Sequence, residues 1–279
     1  MESKIRSIFK RGSRTYFTSS LFFPETVRRD VFQLYAFVRS ADDFVDALPQ
    51  RRTEFYRFWE EYRDCLTGNR TIDPIICPFV AMAQRTGISP EWIESFLLSM
   101  EMDLYKTHYR TLDEVLIYSY GAAEVIGLMM SAILRLPAAA RPQAMMLGRS
   151  MQYINFIRDI AEDLTLGRIY LPGEDLEMAG LASLDHVEVE RKPEAFARFM
   201  NQQTARFKEW QQEAESGFHY LPKRVRIPVK TASDMYLWTA RQIEKEPMLV
   251  YRRKVKPGRS RIILDLLRNW AAIYRPTVR

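Results

Sequence analysis

The sequence predicts an all-α protein. Apolar residues recur at three- and four-residue steps along most of the chain, and no strand-type alternation of useful length interrupts them. No Gly/Ser linker, internal repeat or low-complexity tract divides the pattern, so residues 1–279 read as a single continuous helical domain.

The elements follow in chain order. Between Pro24 and Leu48 the apolar positions Val31, Leu34, Tyr35, Val38, Ala41 and Val45 keep helical spacing, with Pro24 suited to a helix start and Pro49 to a stop. The same pattern predicts helices over 52–67, 75–86, 90–103, 111–135, 139–165, 192–217, 229–245 and 260–272. Turn residues crowd GRIYLPGEDLEMAGL, Gly167 to Leu181, which reads as a loop.

Composition narrows the function classes. An apolar fraction of 47% can fill a large core, and 27% charged residues are ordinary for a folded protein. Cys65 and Cys77 lie in no C-x-x-C pair and read as inert thiols of a reducing cytoplasm. No run approaches the ~18 apolar residues of a membrane span, and the N-terminus lacks a signal-peptide core. The net charge of +6 favours an acidic partner. Its densest basic run, Tyr251 to Arg261, has few interleaved aromatics and reads as solvated surface, then membrane contact, with nucleic acid last. Neither a dinucleotide fingerprint nor a P-loop occurs. His108, His186 and His219 are isolated, which leaves a zinc site or a serine–histidine triad unsupported.

Two acidic clusters carry the chemistry. On a helix, Tyr35, Arg39, Asp42, Asp43 and Asp46 fall within an arc of roughly 100°. Gln152, Asn155, Asp159 and Asp163 fall within about 80° on a later helix, flanked by Arg158 and Glu162. Carboxylates four residues apart repel, and Asp is a poor interior helix residue, so local stability opposes both clusters. One such cluster alone reads as a solvated face. Two, each embedded in apolar helix beside an arginine, read as a site for Mg²⁺, which takes hard oxygen ligands and bridges to phosphates that arginines also bind.

The chain resembles the squalene/phytoene synthase family. SRTYF (Ser13 to Phe17) is similar to its N-terminal segment and LYAFVRSADDFVD (Leu34 to Asp46) to its first aspartate motif. YSYGAAEVIGLMM (Tyr118 to Met130) is similar to its cavity helix, and QYINFIRDIAEDLTLGRIYLP (Gln152 to Pro172) to its second aspartate motif and following loop. The resemblance implies an isoprenoid-synthase helical bundle around a central apolar cavity. It implies that Asp42, Asp46, Asp159 and Asp163 bind Mg²⁺-diphosphate, with Mn²⁺ as a substitute. Asn155 joins Asp159 and Asp163 at the spacing of a terpene cyclase's metal triad. Ser13, Thr15, Tyr35, Arg39, Asp43, Gln152, Asn155, Arg158 and Arg168 are implied to contact substrate, and Tyr118 is implied as catalytic. For Tyr35 and Tyr118 a core-aromatic role fits equally well. Glu124 departs from the family's Ala-Gly at that point, and the segment Met248 to Arg253 matches poorly.

The implied activity is head-to-head condensation of two prenyl diphosphates. The form of the cavity helix, with small residues at Ser19, Ser20, Ala122 and Ala123, points to phytoene from two geranylgeranyl diphosphates without NADPH. A C30 product from farnesyl diphosphate and a catalytically silent lipid-binding relative are the alternatives, and DDFVD alone also suits a chain elongase or a cyclase. The expected location is cytoplasmic, with peripheral membrane contact through Arg252, Arg253 and Lys254.

Overall fold

The computed structural model describes residues 20, 23–69, 71 and 73–274. Helices dominate, and no β-strand occurs among the described residues beyond an isolated bridge pairing His108 with Ile169. The sites expected at Ser13, Thr15 and Ser19 lie outside the described residues.

Helix α1, Glu25–Val45, follows Pro24 and buries Val31, Leu34, Phe37, Ala41 and Val45 on one face. That face meets α2 (Arg52–Leu66), α3 (Ile76–Thr86) and α4 (Pro90–Met102). Phe37 stacks on Phe79 at 3.9 Å between ring centroids and also touches Phe58 and Tyr62, so aromatic packing fixes how α1 sits. Burying one stripe of α1 here leaves its acidic positions on the other side.

The expected helix 111–135 is one rod with a wide turn inside it. Helix α5, Leu112–Ser119, passes through a π turn at Tyr120–Glu124 into α6, Val125–Ile133. By length and composition Leu112–Ile133 could cross a membrane, but 56% of that window is buried in the protein. A core helix passes the same test. Helix α7, Arg141–Arg158, runs beside it, and glycine permits the contact. A Cβ on Gly148 would lie 2.2 Å from the Ala123 carbonyl oxygen, and one on Gly127 would lie 2.1 Å from that of Ala144.

After α7 the helix breaks at Asp159 (φ −99°, ψ 15°) and resumes as α8, Ile160–Thr165. The stretch read as a loop contains α9, Gly173–Ala179, and two more short helices follow at α10 (His186–Arg191) and, later, α13 (Leu249–Arg252). Helix α11, Pro193–Glu215, packs along α7, and α12, Lys223–Lys245, starts six residues before the expected 229 and carries Pro228 inside it. Helix α14, Arg259–Tyr274, rests on α12.

One expectation about the cysteines is corrected. Cys65 and Cys77 form a disulfide, with Cα atoms 5.8 Å apart, because the connection from α2 to α3 folds back and brings the facing helix ends together.

Candidate active site

The two acidic clusters converge at the C-terminal ends of α1 and α7. Arg39 donates to Asp42 at 2.7 Å and pairs with Asp43 at 2.6 Å, so the first motif carries its own cation. Asp46 caps α1, its backbone N–H bonded to the Asp42 carbonyl. In the second motif Arg158 Nε donates to Asp159 at 2.8 Å. The kink at Asp159 keeps the helical bonds on either side, since Asp159 N–H reaches Asn155 and Asp163 N–H reaches Asp159, each at 2.8 Å.

Arg168 ties the motifs together. Gly167, in a left-handed conformation at φ 71°, turns the chain after α8 so that Arg168 N–H bonds the Asp163 carbonyl at 2.9 Å. Its buried guanidinium then donates to Asp46 at 2.7 Å, to the Val45 carbonyl at 2.6 Å and to the Asp103 carbonyl at 3.2 Å. The side chain expected to touch substrate is thus held by protein groups at the C-terminal ends of α1 and α4, while its backbone joins the second motif. Backbone bonds from Ile169 to Thr107 and from Gly173 to Tyr109 fasten the rest of this loop.

Behind Arg168 lies a residue that spacing did not reveal. Buried Asp103 accepts the Tyr118 hydroxyl at 2.7 Å and the Tyr170 hydroxyl at 2.7 Å, and Arg168 Nη1 stands 3.9 Å away. Tyr109, Tyr118, Tyr170 and Phe156 pack around it with ring centroids 4.6–6.0 Å apart. Tyr118 therefore belongs to a buried aromatic and hydrogen-bonded cluster. It reaches the acidic site through Asp103 and Arg168.

The carboxylates are crowded. Burial, then Asp46, pushes Asp42 up to about 7, against the opposing pull of Arg39. Burial, then Asp159 and Asp46, pushes Asp163 up to about 8. That Asp46 acts on Asp163 across the gap places the two motifs in one field. Burial likewise raises Asp103 to about 6 despite Arg168, and Tyr35 to about 12.

An apolar cavity of about 370 Å³ opens beside the acidic site. Tyr35, Gln152 and Asn155 line the end on the motif helices, and Ser20, Ala122 and Ala123 line its wall as expected. From Asn155 to Ala140, both on the lining, α7 advances roughly 22 Å at 1.5 Å per residue. Glu124 does not enter the cavity. It is 1% exposed and accepts from Arg149 Nε at 2.7 Å, and Arg149 in turn lies over Trp210.

The oxygen donors suit a hard divalent cation. Among the described residues no three His, Cys, Asp or Glu side chains gather closely enough to hold a metal by themselves. Mg²⁺, however, usually keeps waters and substrate phosphates beside one or two carboxylates. The buried Asn155 Oδ1 has no hydrogen-bond partner, and the Asp46 charge helps raise the proton affinity of both Asp42 and Asp163. A cation would satisfy the first and relieve the second.

Part of the exposed basic run at the C-terminal side is paired with acidic side chains. Lys254 pairs with Glu162 and stands 3.5 Å from Asp159, and Arg252 pairs with Glu246. Lys256 is pushed below the usual lysine range by burial, then by Lys254 and Arg158. The chain returns 92 residues later to supply the second motif with cations, a contact no local spacing could show.

Comparison with known proteins identifies the family. The squalene/phytoene synthase family profile matches residues 9–261. The 15-cis-phytoene synthase of Pantoea ananas is 30% identical over 237 residues, covering 81% of this chain and 76% of that protein. That of Synechocystis sp. is 27% identical over 281 residues, covering 95% and 83%. A dehydrosqualene synthase crystallised with ligand superposes with a TM-score of 0.84 at 20% identity, over 97% of this chain and 95% of that one. A squalene synthase from Alicyclobacillus acidocaldarius gives 0.78 at 23% identity, over 88% and 93%.

Proposed function

Because the chain belongs to the squalene/phytoene synthase family and is a prenyltransferase of the head-to-head type, we propose that it joins two geranylgeranyl diphosphates to phytoene in a Mg²⁺-dependent reaction. In this reading residues 1–279 form one synthase domain. The observation that carries the chain length is the cavity, whose long apolar wall includes the small side chains of Ala122 and Ala123. Burying a methylene is worth about 0.8 kcal/mol where room exists, so the additional isoprene unit of a C20 tail favours it over a C15 tail by several such increments.

Asp42, Asp46, Asn155, Asp159 and Asp163 would hold the metal, which when bound stabilises the charge on the departing diphosphate. Arg39 and Arg158, already beside these carboxylates, supply fixed positive charge to the same oxygens, with Lys254 reaching Asp159 from the far side. Tyr35, Gln152 and Asn155, where the cavity meets the motifs, orient the reacting ends of the two tails. The apolar wall excludes water, so the allylic cation left after diphosphate departs is captured by the second substrate's double bond. Loss of a proton then closes the three-membered ring and gives a neutral cyclopropylcarbinyl diphosphate. Loss of its diphosphate, rearrangement to the 1-1′ linkage and loss of a proton then give the product without a reductant. Asp103 and Tyr118 act behind this surface and hold Arg168, and through it Asp46, in place.

Incubation with equimolar labelled farnesyl and geranylgeranyl diphosphates and Mg²⁺, with and without NADPH, tests the proposal. The expected product is C40 hydrocarbon in both arms. Predominant C30 hydrocarbon, or a product that needs NADPH, refutes the assignment.

A further inference from the structure

Helix α14 has two faces of different kinds. Its inner face, Ile262, Leu266 and Asn269, is fixed on α12: the two apolar side chains pack with Ile227 and Met235, and Asn269 donates to Thr231 at 3.1 Å and to Asp234 at 2.8 Å. Its outer face is apolar and open to solvent. Ile263, Leu267, Trp270 and Tyr274 are 54%, 60%, 57% and 46% exposed. At 100° per residue these four fall within an arc of about 60°, and Leu264, also exposed, widens it to about 120°.

Positive charge borders this stripe. Arg259 projects along one edge, and Arg261 and Arg268 along the other. Lys223 from α12 lies 5.9 Å from the Tyr274 ring at the far end. Asp265, the acidic residue of the helix, is turned inward and pairs with Arg261 at 3.9 Å and Arg268 at 3.3 Å, so it balances part of the charge on that edge from the inner side. An exposed apolar arc carrying Trp and Tyr between arginines is the pattern of a helix lying in a membrane interface.

Charge also selects among the candidate occupants. A second copy brings another +6 to a basic rim, and residues 1–19 carry Lys4, Arg6, Lys10, Arg11 and Arg14 against Glu2. Both are repelled, whereas anionic lipid is attracted. The position fits a lipid surface too. Helix α12 carries α14 on one side, and on its other side Pro228, Val229 and Ala232 line the apolar cavity. A bilayer against α14 would lie one helix away from the cavity.

We propose that the outer face of α14, centred on Leu267 and Trp270, docks the protein on an anionic lipid bilayer. This surface is distinct from the contact expected at Arg252, Arg253 and Lys254, of which Arg252 pairs with Glu246 and Lys254 with Glu162. It stands on the surface of α14 and would survive a wrong product assignment.

Sedimentation with phosphatidylcholine vesicles, with or without added phosphatidylglycerol, tests it on the full chain. The wild type is expected to pellet with the mixed vesicles and to stay in solution with phosphatidylcholine alone. The L267S/W270S variant is expected to bind mixed vesicles about tenfold more weakly or worse, with unchanged circular dichroism and thermal midpoint and with unchanged turnover of detergent-dispersed substrate. Equal binding by the variant, or equal binding of the wild type to neutral vesicles, overturns the proposal. So does a concentration-dependent dimer that the double substitution abolishes.

Discussion

Replacing Asp103 separates the buried support from the metal-facing carboxylates. Its carboxylate receives the Tyr118 and Tyr170 hydroxyls at 2.7 Å each, and Arg168 lies 3.9 Å away. In Asp103→Ala, Tyr118 loses its hydrogen bond, whereas Tyr170 keeps its contact with Arg168 Nη1 at 3.1 Å. A buried hydroxyl left without a partner costs about 1–3 kcal/mol, and Arg168 also loses a nearby counter-charge, so a total near 3 kcal/mol is expected. Asp103→Asn keeps an acceptor and removes a charge that burial already disfavours, so it is expected to cost about 1 kcal/mol at pH 7. The sign of the pH effect follows from burial having raised this carboxyl to about 6. The folded state binds the proton more tightly than the unfolded chain does. That contribution is complete below the unfolded pKa of about 3.9 and lost as pH rises through about 6. The gap between wild type and Asp103→Asn should therefore widen as pH falls from 7 toward 5. Urea unfolding across that range measures both effects. An Asp103→Ala protein within about 0.5 kcal/mol of wild type, or a gap that does not move with pH, refutes the reasoning.

Three further outcomes are expected. Asp42→Asn and Asp159→Asn should each keep the helical circular dichroism but lower turnover by orders of magnitude, because an amide is a weaker ligand for Mg²⁺; full activity in both, or activity undiminished in EDTA, speaks against the paired-motif site. Burial and neighbouring carboxylates hold Asp163 up to about 8, so at pH 7 it carries a proton that a cation must displace; calorimetry of Mg²⁺ binding in Tris and in MOPS should show proton release at pH 7 that fades by pH 9, and equal heats in the two buffers would contradict this. Gly148→Ala would push a Cβ to 2.2 Å from the Ala123 carbonyl, so its thermal midpoint should fall with a cost of about 1–3 kcal/mol, and an unchanged midpoint would show that α7 can move away freely.

The long helices were legible because each buries one stripe: the spacing of Val31, Leu34, Ala41 and Val45 is the same fact as the face of α1 packed on the core. The acidic residues stood out for the opposite reason, since Asp at four-residue steps opposes local stability. What could not be read depended on distance or on brevity. Asp103 is a solitary carboxylate whose partners lie 15 and 67 residues away, and Lys254 meets Glu162 across 92. Helices as short as α10 and α13 complete too few turns to show a period. Pro228 sits in the second turn of α12, so the helix begins earlier than the expected 229. The kink at Asp159 and the π turn at Tyr120–Glu124 leave the apolar pattern nearly intact, so neither announces itself in sequence.

The π turn bears on how this protein can change over generations. Such a turn closes hydrogen bonds over one residue more than an α turn, so it holds an extra residue within an otherwise regular rod. Upstream of it Tyr118 points into the aromatic cluster, and downstream Ile126, Gly127 and Met130 face the cavity. Losing one residue from Tyr120–Glu124 would relax the rod to α-helix and rotate everything beyond it by about 100° relative to Tyr118. The cavity wall would then present a different set of side chains while the reacting end stayed as it was. A single codon deletion at this place is thus a larger step in the shape offered to a hydrocarbon tail than any one substitution along α6. It also requires Glu124 to find a new partner or disappear, since Arg149 would no longer lie opposite it.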